Sequence, residues 1–190
     1  MSRWEPNAAE RLAVAAVELF TDRGYEDVTV VEIAERAGLT KRTFFRHFAD
    51  KREILFRGQD SYRVMFANAI ADAPRDASPM EAIGAALAVF ATGFVNDRRG
   101  FLARRQAVIE RNSDLKERDL LKAAALTTAM SDALVARGIK AQTARVAAQL
   151  GVLAAGDAFQ RWLQPANRTS MPALVRQSLR RLDKAIDELH

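Results

Sequence analysis

Apolar positions recur every three or four residues along nearly the whole chain, and the 3.6-residue period they trace predicts helices and no strand. Leu12, Ala16, Leu19 and Phe20 share one face of a first helix, which Asn7 is placed to cap and Gly24 to end. Thr29-Val30-Val31-Glu32 reads as a capping box, and the helix behind it turns Val30, Ile33, Ala34 and Ala37 inward before Gly38 stops it. Thr40 caps a short third helix whose apolar side is Phe44, Phe45 and Phe48. Asp50-Lys51-Arg52-Glu53 repeats the box pattern and opens a fourth helix running to about Ala71.

Two prolines and a Ser-Pro pair mark Asp72 to Pro79 as a loop. Ser78-Pro79-Met80-Glu81 then starts a fifth helix, with proline at the first helical position, where its missing N–H is harmless. A sixth runs from about Asp97 to Ile109. A seventh runs from a Ser113 cap to Arg137, before Gly138. An eighth covers Ala141 to Leu163, ended by Pro165, and a ninth runs from a Ser170 cap to about Leu189. The expectation is an all-α chain of about nine helices: an N-terminal three-helix bundle over residues 1–50 and a helical domain over residues 51–190.

Composition narrows the chemistry. Of 190 residues 49% are hydrophobic and 28% charged, a globular balance rather than a disordered one. Without cysteine there is no disulfide or thiolate metal site, and His47 and His190 are the only imidazoles, so no metal and no cofactor is expected. No Gly-rich phosphate loop or paired nucleophile and base is visible, which argues against an enzyme. Glu5, Glu10 and Glu18 break any signal-peptide pattern, and the longest apolar run, Ile83 to Val95, is too short to span a bilayer; a cytoplasmic protein without a membrane partner is expected. The net charge of +5 suits a polyanionic partner or plain solubility equally; its location decides more.

That location is the third helix. Two helices joined by Ala37-Gly38-Leu39-Thr40 have helix-turn-helix spacing, in which the second helix enters the major groove. It would present Lys41, Arg42, Thr43 and Arg46 to base edges or phosphates. Seven Lys or Arg stand between Arg36 and Arg57 against Asp50 and Glu53 alone. Many short basic helix pairs nevertheless bind nothing. From Ala9 to Phe56 the chain resembles the N-terminal domain of the tetracycline-repressor (TetR) family. The likeness rests on Ala16, Leu19, Phe20, Gly24 and Tyr25; Thr29-Val30, Ile33-Ala34 and Ala37-Gly38; Thr43-Phe44-Phe45-Arg46-His47-Phe48; and Lys51 with Leu55.

The resemblance implies phosphate contacts from Thr29 at the start of the second helix and from His47 and Lys51, with Lys41, Arg42 and Thr43 at the groove; Thr40 and Arg46 complete the expected DNA-binding set. The family usually carries Tyr where this chain has Phe45, whose ring can meet sugar or a thymine methyl but cannot donate to a phosphate.

The eighth helix is rich in small residues, among them Ala147, Gly151, Ala154, Ala155 and Ala158, which admit close approach of a second subunit or of a neighbouring helix. Val175, Leu179, Leu182 and Ile186 form a seam on the ninth helix. The resemblance implies that both build a homodimer interface. Tyr62, Met65, Phe66, Phe90, Phe94, Phe101 and Met130, with Arg104 or Arg105 for an anionic end, line either a core or a ligand pocket between the fourth and seventh helices. The expected function is a ligand-responsive regulator, most often a repressor in this family. It would bind a palindromic DNA operator as a homodimer and be released by an apolar or amphipathic small-molecule inducer. The alternative is a helical partner-binding scaffold whose DNA binding is nonspecific or lost.

Overall fold

A computed structural model describes residues 8–189, and these form nine α-helices with no strand. They are α1 (Ala8–Arg23), α2 (Val30–Arg36), α3 (Lys41–His47), α4 (Gln59–Ala71), α5 (Pro79–Thr92), α6 (Arg99–Glu110), α7 (Ser113–Ala136), α8 (Ala141–Leu163) and α9 (Met171–Asp187). The helix count and most boundaries match the periodicity; the cap expected at Asn7 lies outside the described residues.

Local chemistry explains the starts. At α2 and again at α5, the Thr29 and Ser78 side chains accept the third helical N–H while Glu32 and Glu81 accept the cap residue's own N–H. The Thr40 hydroxyl accepts from the Thr43 N–H at 3.1 Å. One expected cap differs: Asn112, not Ser113, holds the cap position of α7, its carbonyl accepting from Lys116. Ser170 holds the cap position of α9 as expected, through its carbonyl and without a side-chain capping bond.

The fourth helix departs further from expectation. Asp50 does accept the N–H groups of Arg52 and Glu53, at 2.8 and 3.0 Å, but the element it opens is a single 3-10 turn, Glu53–Phe56. Gly58 at φ +82° then breaks the chain before α4, a conformation glycine adopts without the penalty a Cβ would bring.

The chain divides into two units. One holds residues up to Gly58 together with Gly100–Asp119; the other holds Gln59–Arg99 and the chain from Leu120 onward. A boundary after residue 50 therefore misses both the 3-10 turn and α6. In the first unit Leu12, Ala16, Phe20, Ile33, Phe44 and Phe48 form one core with Ile54, Leu55, Phe56, Val108, Ile109 and Leu115. In the second, Ile83, Leu87, Met130, Leu134 and Trp162 are fully buried among the small residues of α8. There Arg137, beside the C-terminus of α7, donates to the carbonyls of Ile70 (3.0 Å) and Ala73 (2.8 Å), closing the end of α4 that no intrahelical N–H can reach. No single helix among the described residues is long and apolar enough to cross a membrane.

Candidate nucleic-acid interface

The turn between α2 and α3 is set by its glycine. Gly38, at φ +64°, donates to the Glu35 carbonyl at 2.9 Å, and the Leu39 N–H reaches back to Ala34 at 2.8 Å. This pair of bonds closes the end of α2 as a Schellman motif. Arg11 of α1 adds a bond to the Ala37 carbonyl at 2.5 Å, and its guanidinium lies 2.9 Å from where a Cβ on Gly38 would stand. The backbone angle favours glycine, and a Cβ there would also displace the Arg11 guanidinium from its clamp. Phe44 and Phe48 then drive α3 onto the core, which leaves its other side in solvent.

The basic cluster sorts into engaged and unengaged members. Arg36 pairs with Glu18 at 2.9 Å and Arg52 with Asp50 at 3.0 Å, and Arg57 also has a partner. Partial burial pushes the Asp50 carboxyl up, but hydrogen bonds from Arg52 and the Glu53 N–H outweigh it and leave that pKa below its ordinary value. Arg23 pairs with Glu32 at 2.7 Å. The Thr29 backbone N–H, then its hydroxyl, then Arg23 hold the Glu32 carboxyl down at about 2.

Lys41, Arg42, Arg46 and His47 are exposed and make no hydrogen bond or ion pair among the described residues. Lys41, Arg42 and Arg46 share with Phe45 an arc of about 140° at 100° per residue, and α3 contains no acid. The result is a narrow, uncompensated positive surface on the one helix that the turn projects.

Two expected phosphate contacts are otherwise occupied. The Thr29 hydroxyl and N–H both donate to Glu32, at 2.7 and 2.8 Å, so this helix start carries its own anion. The Lys51 ammonium donates to the carbonyls of Tyr25 (2.8 Å), Val28 (3.0 Å) and Glu26 (3.4 Å), and sits 4.2 Å from the Tyr25 ring centroid. Burial, with Glu26 and Asp50 nearby, pushes the Tyr25 phenol up to about 12, so it stays neutral under the ammonium. An ammonium has three protons to give, and here all three have takers.

Lys51→Ala is accordingly expected to lower the stability of the first unit by about 1.5–3 kcal/mol, the range for hydrogen bonds to a charged group. The salt dependence of DNA binding should stay unchanged. A salt slope reduced by about one, with no change in melting, would return Lys51 to the phosphate backbone. Thr40 and Thr43 remain at the exposed start of α3 with their hydroxyls 3.0 Å apart. Phe45, grouped by periodicity with the apolar side, is 49% exposed.

The residues expected to line a pocket fall in both units. Tyr62, Phe66, Phe90 and Phe94 form a ladder of ring contacts with centroids 4.7–5.4 Å apart, extended by Phe159 and Trp162. Arg99 caps this ladder, its guanidinium 4.9 Å from the Trp162 ring. The two added rings are not among the residues expected from the sequence, although Phe159 and Trp162 stand one turn apart, as core neighbours on a helix do. Met65 is half-buried and Met130 fully buried in the same unit.

Phe101 and Arg105 belong elsewhere. Phe101 packs on the core of the first unit, and Arg105 is buried there, donating to the Leu55 carbonyl with its guanidinium 5.7 Å from the Phe56 ring. Arg105 is thus a core clamp and not a receptor for an anion; Arg104 is exposed. Open hollows among the described residues include one of about 580 Å³ beside α1 and one of about 480 Å³ between the starts of α5 and α8, and neither is lined by any of these residues.

The small residues of α8 face inward. Ala147, Gly151, Ala154 and Ala158 are buried within their own subunit, as is Val175 of α9, while Ala155, Leu179, Leu182 and Ile186 are half-buried. A Cβ at Gly151 would lie 2.7 Å from Ile83 and 3.0 Å from Met130, so the close approach that glycine permits is to α5 and α7. The large apolar residues that α8 leaves in solvent are Val146 and Leu153, with Leu150 half-buried between them.

Residues 12–57 match the family model described as bacterial regulatory proteins, tetR family. The chain is 30% identical over 182 residues to the HTH-type transcriptional repressor BepR of Brucella suis, covering 86% of this chain and 85% of that protein. With the HTH-type transcriptional regulator TcmR of Streptomyces glaucescens identity is 38% over 77 residues, spanning 40% of this chain and 34% of TcmR. The SmeT–triclosan complex, SmeT being a repressor from Stenotrophomonas maltophilia, has the same fold: TM-score 0.64 at 17% identity, over 95% of this chain and 91% of that one.

Proposed function

Because the chain belongs to the tetracycline-repressor (TetR) family of bacterial regulatory proteins, we propose that it is a ligand-responsive repressor that grips a palindromic operator as a homodimer and lets go when a small apolar or amphipathic inducer binds. The family is one of DNA-binding transcriptional regulators, not enzymes. The observation that carries the reading is the surface of α3, a helix without an acid, where Lys41, Arg42 and Arg46 stand exposed on one arc with no hydrogen bond or ion pair among the described residues. Thr40, Thr43 and His47 flank that arc and complete the contact set.

One short helix meets only a few base pairs, so specificity calls for two copies related by a two-fold axis, about one helical turn of DNA apart. The surface offered for that pairing is the exposed side of α8, Val146, Leu150 and Leu153 at spacings of four and three, together with the half-buried Leu182 and Ile186 of the α9 seam. Repression is supported by BepR, which carries that role in its name and aligns along most of both chains. An inducer is supported by SmeT, of the same fold, which has been solved with triclosan; the half-buried rings of the ladder, Tyr62, Phe90, Phe94 and Phe159, with Arg99 at its end, are the apolar group it would meet.

Footprinting on the DNA upstream of its own gene, combined with sedimentation, tests the reading. Wild type should protect a palindrome as a dimer. Leu153→Glu places a carboxylate on a side chain that is 57% exposed in the single chain, so the subunit should stay folded while the dimer and full-operator protection are lost. An undisturbed dimer would move the interface off α8, and uniform protection of all DNA would favour a nonspecific binder.

A further inference from the structure

Ten phenylalanines occur in this chain, and Phe45 alone among them is exposed. An isolated apolar side chain in solvent needs no explanation in general. This one stands amid the positive arc of α3, with Lys41 and Arg42 one turn before it and Arg46 next to it, and its ring is not loose. It packs edge-on against the fully buried ring of Phe44, centroids 5.4 Å apart at 76°, and the Lys41 ammonium lies 6.0 Å from its centroid. The helix therefore carries a fixed apolar probe surrounded by cations that bring it to DNA.

A phenyl ring neither donates nor accepts a hydrogen bond to a base edge or a phosphate. The one apolar group that the major groove offers is the 5-methyl of a pyrimidine. Resting on the proposal that α3 enters that groove, we infer that Phe45 is a specificity-determining residue that reads a pyrimidine 5-methyl group, that of thymine or of 5-methylcytosine. Residues three and four apart on a helix have Cβ atoms about 5–6 Å apart, and stacked bases rise about 3.4 Å. The methyl read by Phe45 therefore belongs within about two base pairs of the base met by Arg42.

The test uses the full chain and the duplex that it selects from randomised DNA. Each thymine of that duplex is replaced in turn by uracil, which deletes the methyl and keeps the base pairing; each cytosine is replaced in turn by 5-methylcytosine. For wild type, uracil at one position is expected to weaken binding about fourfold per half-site, and about fifteenfold when both half-sites carry it, from the burial of a single methyl group. If the selected pair there is G·C, methylating its cytosine should tighten binding by the same factor. Phe45→Ser should bind methylated and unmethylated duplexes alike, and Phe45→Tyr, which keeps the ring, should retain the discrimination.

Indifference of wild type to uracil and to 5-methylcytosine at every position overturns the inference, since the ring would then be resting on sugar. Discrimination that persists in Phe45→Ser overturns it too, by assigning the methyl to another residue. In both cases specific binding by wild type leaves the proposed function standing. Failure to select any sequence removes both.

Discussion

Arg42→Ala is expected to relax specificity by about 1–3 kcal/mol per half-site, the discrimination a bidentate arginine gives at a guanine edge, and so by roughly 2–6 kcal/mol for a symmetric dimer. Binding to the selected duplex should fall by that amount while binding to scrambled DNA falls little. Its melting temperature should not move, because the Arg42 side chain is exposed and makes no hydrogen bond or ion pair among the described residues. Arg46→Ala provides the contrast. If Arg46 meets a phosphate, it should weaken cognate and scrambled DNA alike and lower the log–log salt slope by about one per contact. Titrations on both duplexes at several salt concentrations separate the two behaviours, and equal losses for Arg42→Ala would take it out of base readout.

Gly151→Arg is expected to abolish cooperative folding of the second unit, not merely to break a dimer. The first atom of any side chain there already meets Ile83 at 2.7 Å and Met130 at 3.0 Å, both fully buried, and an arginine would add an unpaired charge to the same space. Gly151→Ala measures the packing alone. Alanine gains about 0.8–1 kcal/mol over glycine in a helix interior, whereas overpacking a filled core costs about 1–3 kcal/mol, so the net effect should be a loss of up to about 2 kcal/mol. Gly156, whose Cβ would meet nothing within 4 Å, lacks the second term, and Gly156→Ala should stabilise the subunit by about the helix-propensity gain. Calorimetric or chemical unfolding of the pair reads the difference; a Gly151→Ala protein as stable as Gly156→Ala would show that the α5–α8 contact yields easily.

Where helices begin and end was legible in the order of residues, because those signals act within a few positions. Thr29 with Glu32, Ser78 with Glu81 and the Gly38 turn each close their hydrogen bonds inside one local stretch, so the residue types and spacings already contain the geometry. The positive face of α3 was legible for the same reason, as it lies on seven consecutive residues. A local signal still overreached at Asp50-Lys51-Arg52-Glu53, where the cap formed but Gly58 redirected the chain a few residues later.

Which group each polar or small side chain works against came from the packing of distant segments. Periodicity marks a face as covered without saying what covers it, which is why the small residues of α8 suggested a second subunit while Gly151 in fact admits Ile83 and Met130. The family motif set Lys51 against a phosphate, and charge offered Arg105 to an anionic ligand. Lys51 reaches carbonyls more than twenty residues back, at Tyr25 and Val28, and Arg105 reaches Leu55 across fifty residues. A cation's role depends on whether an acceptor lies within hydrogen-bond reach, and at such separations along the chain that distance is set by packing.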